Sequence, residues 1–220
     1  MLTFRDYSSY DEYRQHQGSK LDKKISKRVA RFIDRKIMKQ IKNSFKQRFV
    51  PIIKYIPKGS KIICLGARLG MEVQAFRELG FPDAIGVDLN PGLNQNILNP
   101  LVIKADFNNI NVKDETFDIV YTNSIDHCFN LVLFNREVFR ILNQTGRLIL
   151  DIPHIGHTKM KISEQCRRDG VKSAHKYESC SYDNINDIKE SLINFNWVLN
   201  FNGVHERIVA ICDKKVRRKK

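Results

Sequence analysis

The sequence lacks the features that would tie it to a membrane, a disulfide framework or a zinc site. No stretch of its 220 residues approaches the ~20 apolar residues of a membrane span. The opening, MLTFRDYSSYDEY, carries acids and tyrosines where a secretory signal needs a continuous apolar segment. Its five cysteines, Cys64, Cys128, Cys166, Cys180 and Cys212, are odd in number and form no CxxC pair. Reduced thiols in a cytoplasmic setting are expected, and no metal. Negative charge is also scarce: 24 acids face 38 lysines and arginines, for a net +14. The excess sits at the ends. Between Lys20 and Arg48 twelve basic residues face Asp22 and Asp34, giving +10, and residues 213–220 give +5. The remainder is close to neutral. Such basic ends attract polyanions, so RNA is a candidate partner through residues 20–48 and 214–220. A solvated helix face plus a frayed tail is the plainer reading.

What is present is ordinary globular material, 42% hydrophobic and 28% charged, long enough for one sizeable α/β domain with an extension. Its organising stretch runs from Lys61 to Glu72. Ile62-Ile63-Cys64-Leu65 has the length and β-branching of an inner parallel strand. Gly66 and Gly70 bracket a turn, and a helix is expected from Met71 to Leu79, closed by Gly80. A second strand, Ala84 to Asp88, ends in an acid twenty-two residues after Gly66. That spacing places a carboxylate against a ribose in a doubly wound sheet. Strand, glycine turn, helix, strand and acid together indicate an adenosine-containing cofactor.

Around this centre the chain predicts a helix over Ser9–Gln17 halted by Gly18. A basic helical segment over Leu21–Phe49 follows, ended by Pro51 and the Pro57-Lys58-Gly59 turn. Further strands are expected at Leu101–Ala105, Phe117–Thr122 and Arg147–Ile152. A helix over Leu131–Leu142 precedes a turn at Asn143–Gly146. Pro153–Tyr182 reads as a long insertion, then a helix from Asp183 to Ile193. Strands Trp197–Phe201 and Arg207–Cys212 close the chain, with Asn202-Gly203 as a hairpin signal.

Five motifs in this order resemble those of the class I S-adenosylmethionine-dependent methyltransferases, specifically the small type 11 group, over roughly residues 50–212. They are the strand and glycine turn Ile62–Gly70, the strand-end acids Asp88 and Asp106, the element Phe117-Asp118-Ile119-Val120, and the stretch Glu137–Leu148. The resemblance implies a Rossmann-like, seven-stranded mixed sheet with helices on both faces and a terminal antiparallel β-hairpin. It also implies a methyltransferase domain over 51–213, flanked by an N-terminal helical extension or lid (1–50) and a basic tail (214–220). The implied cofactor is S-adenosyl-L-methionine, held by Leu65, Gly66, Ala67, Arg68, Gly70, Asp88, Leu89, Asp106, Phe107 and Asn123. Asp88 would accept the ribose hydroxyls, Asp106 the adenine amino group, and Phe107 would pack beside the ring. Asn123 and Ser124 would face the sulfonium and the nucleophile. Two residues depart from the pattern: Cys64 stands where the family has an acid, and Arg68 where it has its middle glycine. Arg68 is open to pairing with the cofactor carboxylate or to facing solvent.

For chemistry, His127, His154 and Asp151 are the candidate catalytic residues, with a structural, hydrogen-bonded role equally open for His127. Methyl transfer is a direct displacement in which a general base is optional. The expected acceptor is a hydroxyl or amine of a small molecule. Neither the Asn/Asp-Pro-Pro-Tyr/Phe tetrapeptide nor Pro-Cys is present, which argues against the nucleobase chemistries that use them. An RNA methyltransferase or RNA-binding module and a non-catalytic cofactor fold are the alternatives. A nicotinamide-dependent oxidoreductase is disfavoured by the terminal hairpin and the absence of GxGxxG. Tyr13, His16, Gln17 and Lys20 are candidate lid contacts.

Overall fold

A computed structural model describes residues 2–22, 35–91, 101–153, 179–182, 185–202 and 207–215. Its centre is a seven-stranded sheet built from β2 (Ile62–Leu65), β3 (Ile85–Asp88), β4 (Val102–Lys104), β5 (Phe117–Thr122), β6 (Leu142–Pro153), β8 (Phe195–Asn202) and β9 (Arg207–Lys214). The spatial order is β4-β3-β2-β5-β6-β9-β8. The first five strands are parallel, and β9 runs antiparallel between β6 and β8. The sheet predicted from sequence is therefore present. Strand order reverses between β2 and β5, which opens a crevice at their carboxyl ends.

Why the strands read as unbroken apolar runs is clear from the packing, since both faces are covered. Ile62 and Cys64 face a cluster containing Phe45, Phe49, Ile52, Phe76, Tyr121 and Ile149. The buried sides of α2 (Arg35–Ile53) and α3 (Met71–Glu78) supply its Phe45, Phe49 and Phe76. Ile63 and Leu65 face the opposite cluster with Val120, Phe134, Val138, Ile141, Leu150 and Ile188. There α4 (Leu131–Ile141) and α5 (Ile185–Ser191) form the layer. Phe49 and Phe76 stack with ring centroids 4.0 Å apart, and Tyr121 meets both edge-on. This is the contact that fixes α2 to α3 and to the sheet.

Three local expectations are corrected, and one element is new. Gly18 does not stop the first helix, because α1 runs from Tyr10 to Asp22. Its Tyr13 and Gln17 are anchored by tertiary contacts that outweigh one glycine. Pro51 does not end α2, which continues to Ile53. Proline forfeits a helical N–H, but buried Phe49 and Ile52 hold the last turn against the sheet. The line drawn after residue 50 thus falls inside a helix. Asn143–Gly146 is not a separate turn but an irregularity within β6: Leu142 pairs Phe117 and Arg147 pairs Ile119. Finally, a two-stranded sheet of β1 (Thr3–Phe4) and β7 (Cys180–Ser181) had no counterpart in the reading of the sequence. Asp183, His154 and residues 203–206 lie outside the described residues. Among the described residues, no helix is long and apolar enough to cross a membrane.

Candidate active site

The crevice is organised by the turn after β2. The N–H groups of Gly66 and Ala67 both donate to the Val87 carbonyl, at 2.9 and 3.0 Å, which binds the turn onto β3. Gly66 has φ +77°, and a β-carbon there would lie 2.6 Å from that of Ser124. Only glycine lets the turn pass this close to the tip of β5. Gly70, at φ 67°, caps α3. Arg68, at φ 28°, occupies the left-handed region without glycine's freedom.

Asp88, at the tip of β3, is held from both sides. One carboxylate oxygen accepts the Arg68 N–H at 3.0 Å and the other the Asn90 N–H at 2.7 Å. Each oxygen keeps a lone pair directed elsewhere. Thr122, at the tip of β5, donates its hydroxyl to the Leu65 carbonyl at 3.0 Å and accepts the Ser124 N–H at 3.1 Å. The two strand tips are thereby locked together.

Between these tips lies a cavity of about 240 Å³. Of the site residues named from the sequence, Gly66, Ala67, Arg68, Asp88, Leu89, Phe107, Asn123 and His127 line it. Leu65, Gly70 and Asp106 do not. Leu65 is core, and Gly70 serves the helix start. Asp106 accepts the Tyr10 hydroxyl and the Asn108 N–H. Asp151 is likewise not on the cavity wall. It is fully buried, bonded to Arg48 at 2.5 Å, to the Tyr121 hydroxyl at 2.7 Å and to Arg207. A carboxylate expected to face the cleft instead neutralises two guanidinium groups within the fold.

Other residues on the wall escaped the reading of the sequence: Ile41 and Phe45 from α2, Leu69 and Met71 beside the turn, and Glu72 from α3. Glu72 is 4% exposed, and burial pushes its carboxyl up to about 8. Its one visible signal was position. It stands four residues before Phe76 on the buried face of α3, where an apolar residue would be expected.

α1 closes one side. Tyr13 and Gln17 line the cavity. The Tyr13 hydroxyl donates to the His127 carbonyl at 3.1 Å, and Gln17 donates to Ser179 at 2.8 Å. Burial raises the Tyr13 phenol well above its ordinary value, so it stays a donor. Tyr7, Tyr10 and Tyr13 pack around Phe129, with Tyr13 and Phe129 centroids 5.1 Å apart. Two of the lid candidates thus meet the cavity. His16 bonds Tyr7 instead, at 2.8 Å.

A glycine turn at a topological switch point, a strand-tip acid and an apolar ring on the same cavity match the arrangement by which doubly wound folds hold an adenosine-containing cofactor. Comparison with known proteins points to one family of domains. Residues 63–150 match the family model described as a methyltransferase domain. The match spans less than half of the chain, and the fold is shared with solved S-adenosylmethionine-dependent methyltransferases.

Among solved structures, one similar fold is the 1,6-didemethyltoxoflavin-N1-methyltransferase of Burkholderia thailandensis, solved with 1,6-didemethyltoxoflavin and S-adenosylhomocysteine bound. It is 13% identical, with 97% of this chain and 94% of that one covered and a TM-score of 0.66. A putative methyltransferase in complex with the Trm112 activator from Haloferax volcanii is 12% identical, covering 83% and 95%, with a TM-score of 0.63. A possible histamine N-methyltransferase from Thermotoga maritima is 16% identical, covering 84% and 98%, with a TM-score of 0.57. No curated protein matches the sequence.

Proposed function

We propose that this protein transfers a methyl group from S-adenosyl-L-methionine to a hydroxyl or amine of a small molecule by direct displacement. The observation that carries the reading is the single cavity shared by the glycine turn, Asp88, Phe107, Asn123 and His127, and walled by Tyr13 and Gln17 of α1. The residues fit the cofactor. Gly66 leaves a cradle that a β-carbon would fill, Asp88 has two acceptor oxygens suited to a ribose diol, and buried Phe107 supplies an apolar wall for a ring. When bound, S-adenosyl-L-methionine supplies a methyl group on a positively charged sulfur.

The protein's task is then alignment and exclusion of water. Asn123 and Ser124 follow the tip of β5, with the Ser124 hydroxyl 3.0 Å from the Asn123 side-chain oxygen. They orient the acceptor. His127 is half-buried, its Nε2 3.9 Å from an Asp126 carboxylate oxygen, and its backbone is fixed by Tyr13. It is the group to take the acceptor's proton where the acceptor's pKa requires a base. His154 lies outside the described residues and keeps its place as a second candidate. A small acceptor is favoured because α1 covers the cavity. The Burkholderia protein, similar over 97% of this chain, was solved with a small molecule bound beside S-adenosylhomocysteine.

The test is transfer of labelled methyl from S-adenosyl-L-methionine to panels of small hydroxyl and amine compounds and to RNA, with Asp88→Ala in parallel. Labelled small product is expected. S-adenosylhomocysteine binding is expected to weaken in Asp88→Ala by about tenfold or more, as for lost hydrogen bonds to a charged group. Label appearing in RNA alone would overturn the acceptor assignment, and unchanged binding by Asp88→Ala would overturn the site.

A further inference from the structure

Two carboxylates line the cavity among the described residues, Asp88 and Glu72, and only Asp88 is held by neighbouring backbone N–H groups. Glu72 receives its own backbone N–H, and its remaining surroundings are hostile to negative charge. Cys64 of β2 is a buried thiol whose ionisation the Glu72 charge opposes. Tyr121 of β5 is near, and the charges of Asp88 on β3 and Asp151 on β6 repel it. Arg48 of α2 is the attractive neighbour but is committed to Asp151 at 2.5 Å. A buried acid in such a place stays uncharged until a cation enters the cavity to pair with it.

Position identifies which cation. Phe107 follows β4, Asp88 ends β3, and Glu72, in the first turn after the β2 loop, lines the same cavity and interacts electrostatically with Cys64 of β2, Tyr121 of β5 and Asp151 of β6. A cofactor with its ring at Phe107 and its ribose at Asp88 therefore carries its amino-acid end toward Glu72. We propose that Glu72 receives the ammonium group at the methionine end of S-adenosyl-L-methionine. This assignment rests on the cofactor reading of the cavity. It is a binding role held from the first turn of α3, one layer above the strand.

Calorimetric titration of wild type and Glu72→Gln tests it with three ligands. S-adenosyl-L-methionine has both the ammonium and a charged sulfur, S-adenosylhomocysteine has only the ammonium, and 5′-methylthioadenosine has neither. Glu72→Gln is expected to weaken the first two alike, by about tenfold or more, and to leave the third unchanged. Equal weakening of all three would make Glu72 structural. Weakening of S-adenosyl-L-methionine alone would assign it to the sulfur. Either result overturns the proposal, and so does no change. A wild type that binds none of the three would instead overturn the cofactor reading, and this proposal with it.

Proton release gives an independent readout. With its carboxyl pushed up to about 8, Glu72 is mostly protonated at neutral pH and must lose that proton to hold an ammonium. Wild type is expected to release protons on binding S-adenosylhomocysteine at pH 7, read in buffers of different ionisation enthalpy. Glu72→Gln is expected to release none, and an unchanged release in that variant would overturn the assignment. Should Glu72→Gln fail to fold, the wild type alone suffices. Its preference for S-adenosylhomocysteine over 5′-methylthioadenosine is expected to grow as pH rises through about 8, and a pH-independent preference would overturn the proposal.

Discussion

Arg68 carries a contradiction between side chain and backbone. It occupies the middle-glycine position of the turn, lines the cavity, and holds φ at 28°, where a β-carbon is strained. Its N–H nevertheless donates to Asp88 at 3.0 Å, so the turn keeps the geometry that glycine would have given it. Strain of this kind costs on the order of 1–3 kcal/mol, partly offset because arginine restricts the unfolded chain more than glycine does. Arg68→Gly is therefore expected to raise stability by about 1 kcal/mol, seen as a higher denaturant midpoint at unchanged slope. A lower midpoint would mean that the guanidinium makes a stabilising contact outweighing the strain. Glu72 is the second residue at odds with its place. Its carboxyl is raised from an ordinary 4.5 to about 8. The unfolded chain therefore loses this proton first. The group's contribution to stability is full below about 4.5 and drains away as pH rises through about 8. Glu72→Gln is expected to flatten the fall of the unfolding free energy across that window in the cofactor-free protein. An unchanged slope would locate the titrating group elsewhere.

Elements differ in how far the sequence revealed them, and the difference follows their dependence on neighbours. β2 and β5 occupy the expected residues, Ile62–Leu65 and Phe117–Thr122, because strands buried on both faces advertise themselves as apolar runs. The glycine turn and Asp88 were legible for a related reason: spacing along one βαβ unit is local. The ends of α1 and α2 were not, since their limits depend on contacts made by Tyr13, Gln17, Phe49 and Ile52 with distant parts of the chain. Asp151 shows the same limit at the site. Its position near the end of β6 suggests a cleft residue, yet its partners come from α2, β5 and β9, a set of elements no local pattern joins. This network makes a definite prediction. Asp151→Asn leaves Arg48 and Arg207 without their carboxylate, and one-sided loss of a buried pair costs about 3–5 kcal/mol. The variant is expected to melt far below wild type, while whatever remains folded still binds S-adenosylhomocysteine. Full stability with abolished methyl transfer would return Asp151 to a catalytic role.

For the whole molecule, the question is what the net charge of +14 is for. Part of it is consumed internally. Lys42 and Lys46 both pair with Glu78 of α3, and Arg48 is buried against Asp151. These are three of the twelve basic residues that made residues 20–48 look like a polyanion-binding segment. The rest, with the basic tail, is expected to give a field that retains RNA by counterion release, without reading sequence. Retention of that kind collapses as salt rises, because each released counterion adds to the slope. RNA binding is accordingly expected to be appreciable at low salt and largely lost by about 0.2 M, and removal of residues 216–220 should reduce the slope. Methyl transfer to a small acceptor is expected to persist in the same salt, since Asp88, Asn123 and His127 lie in a cavity walled by α1 rather than on the charged surface. Filter binding against salt, run beside the transfer assay, separates the two. RNA binding that resists salt and supports methyl incorporation would make the basic segments part of the acceptor site. Their loss without effect on transfer would leave them an electrostatic surface alone.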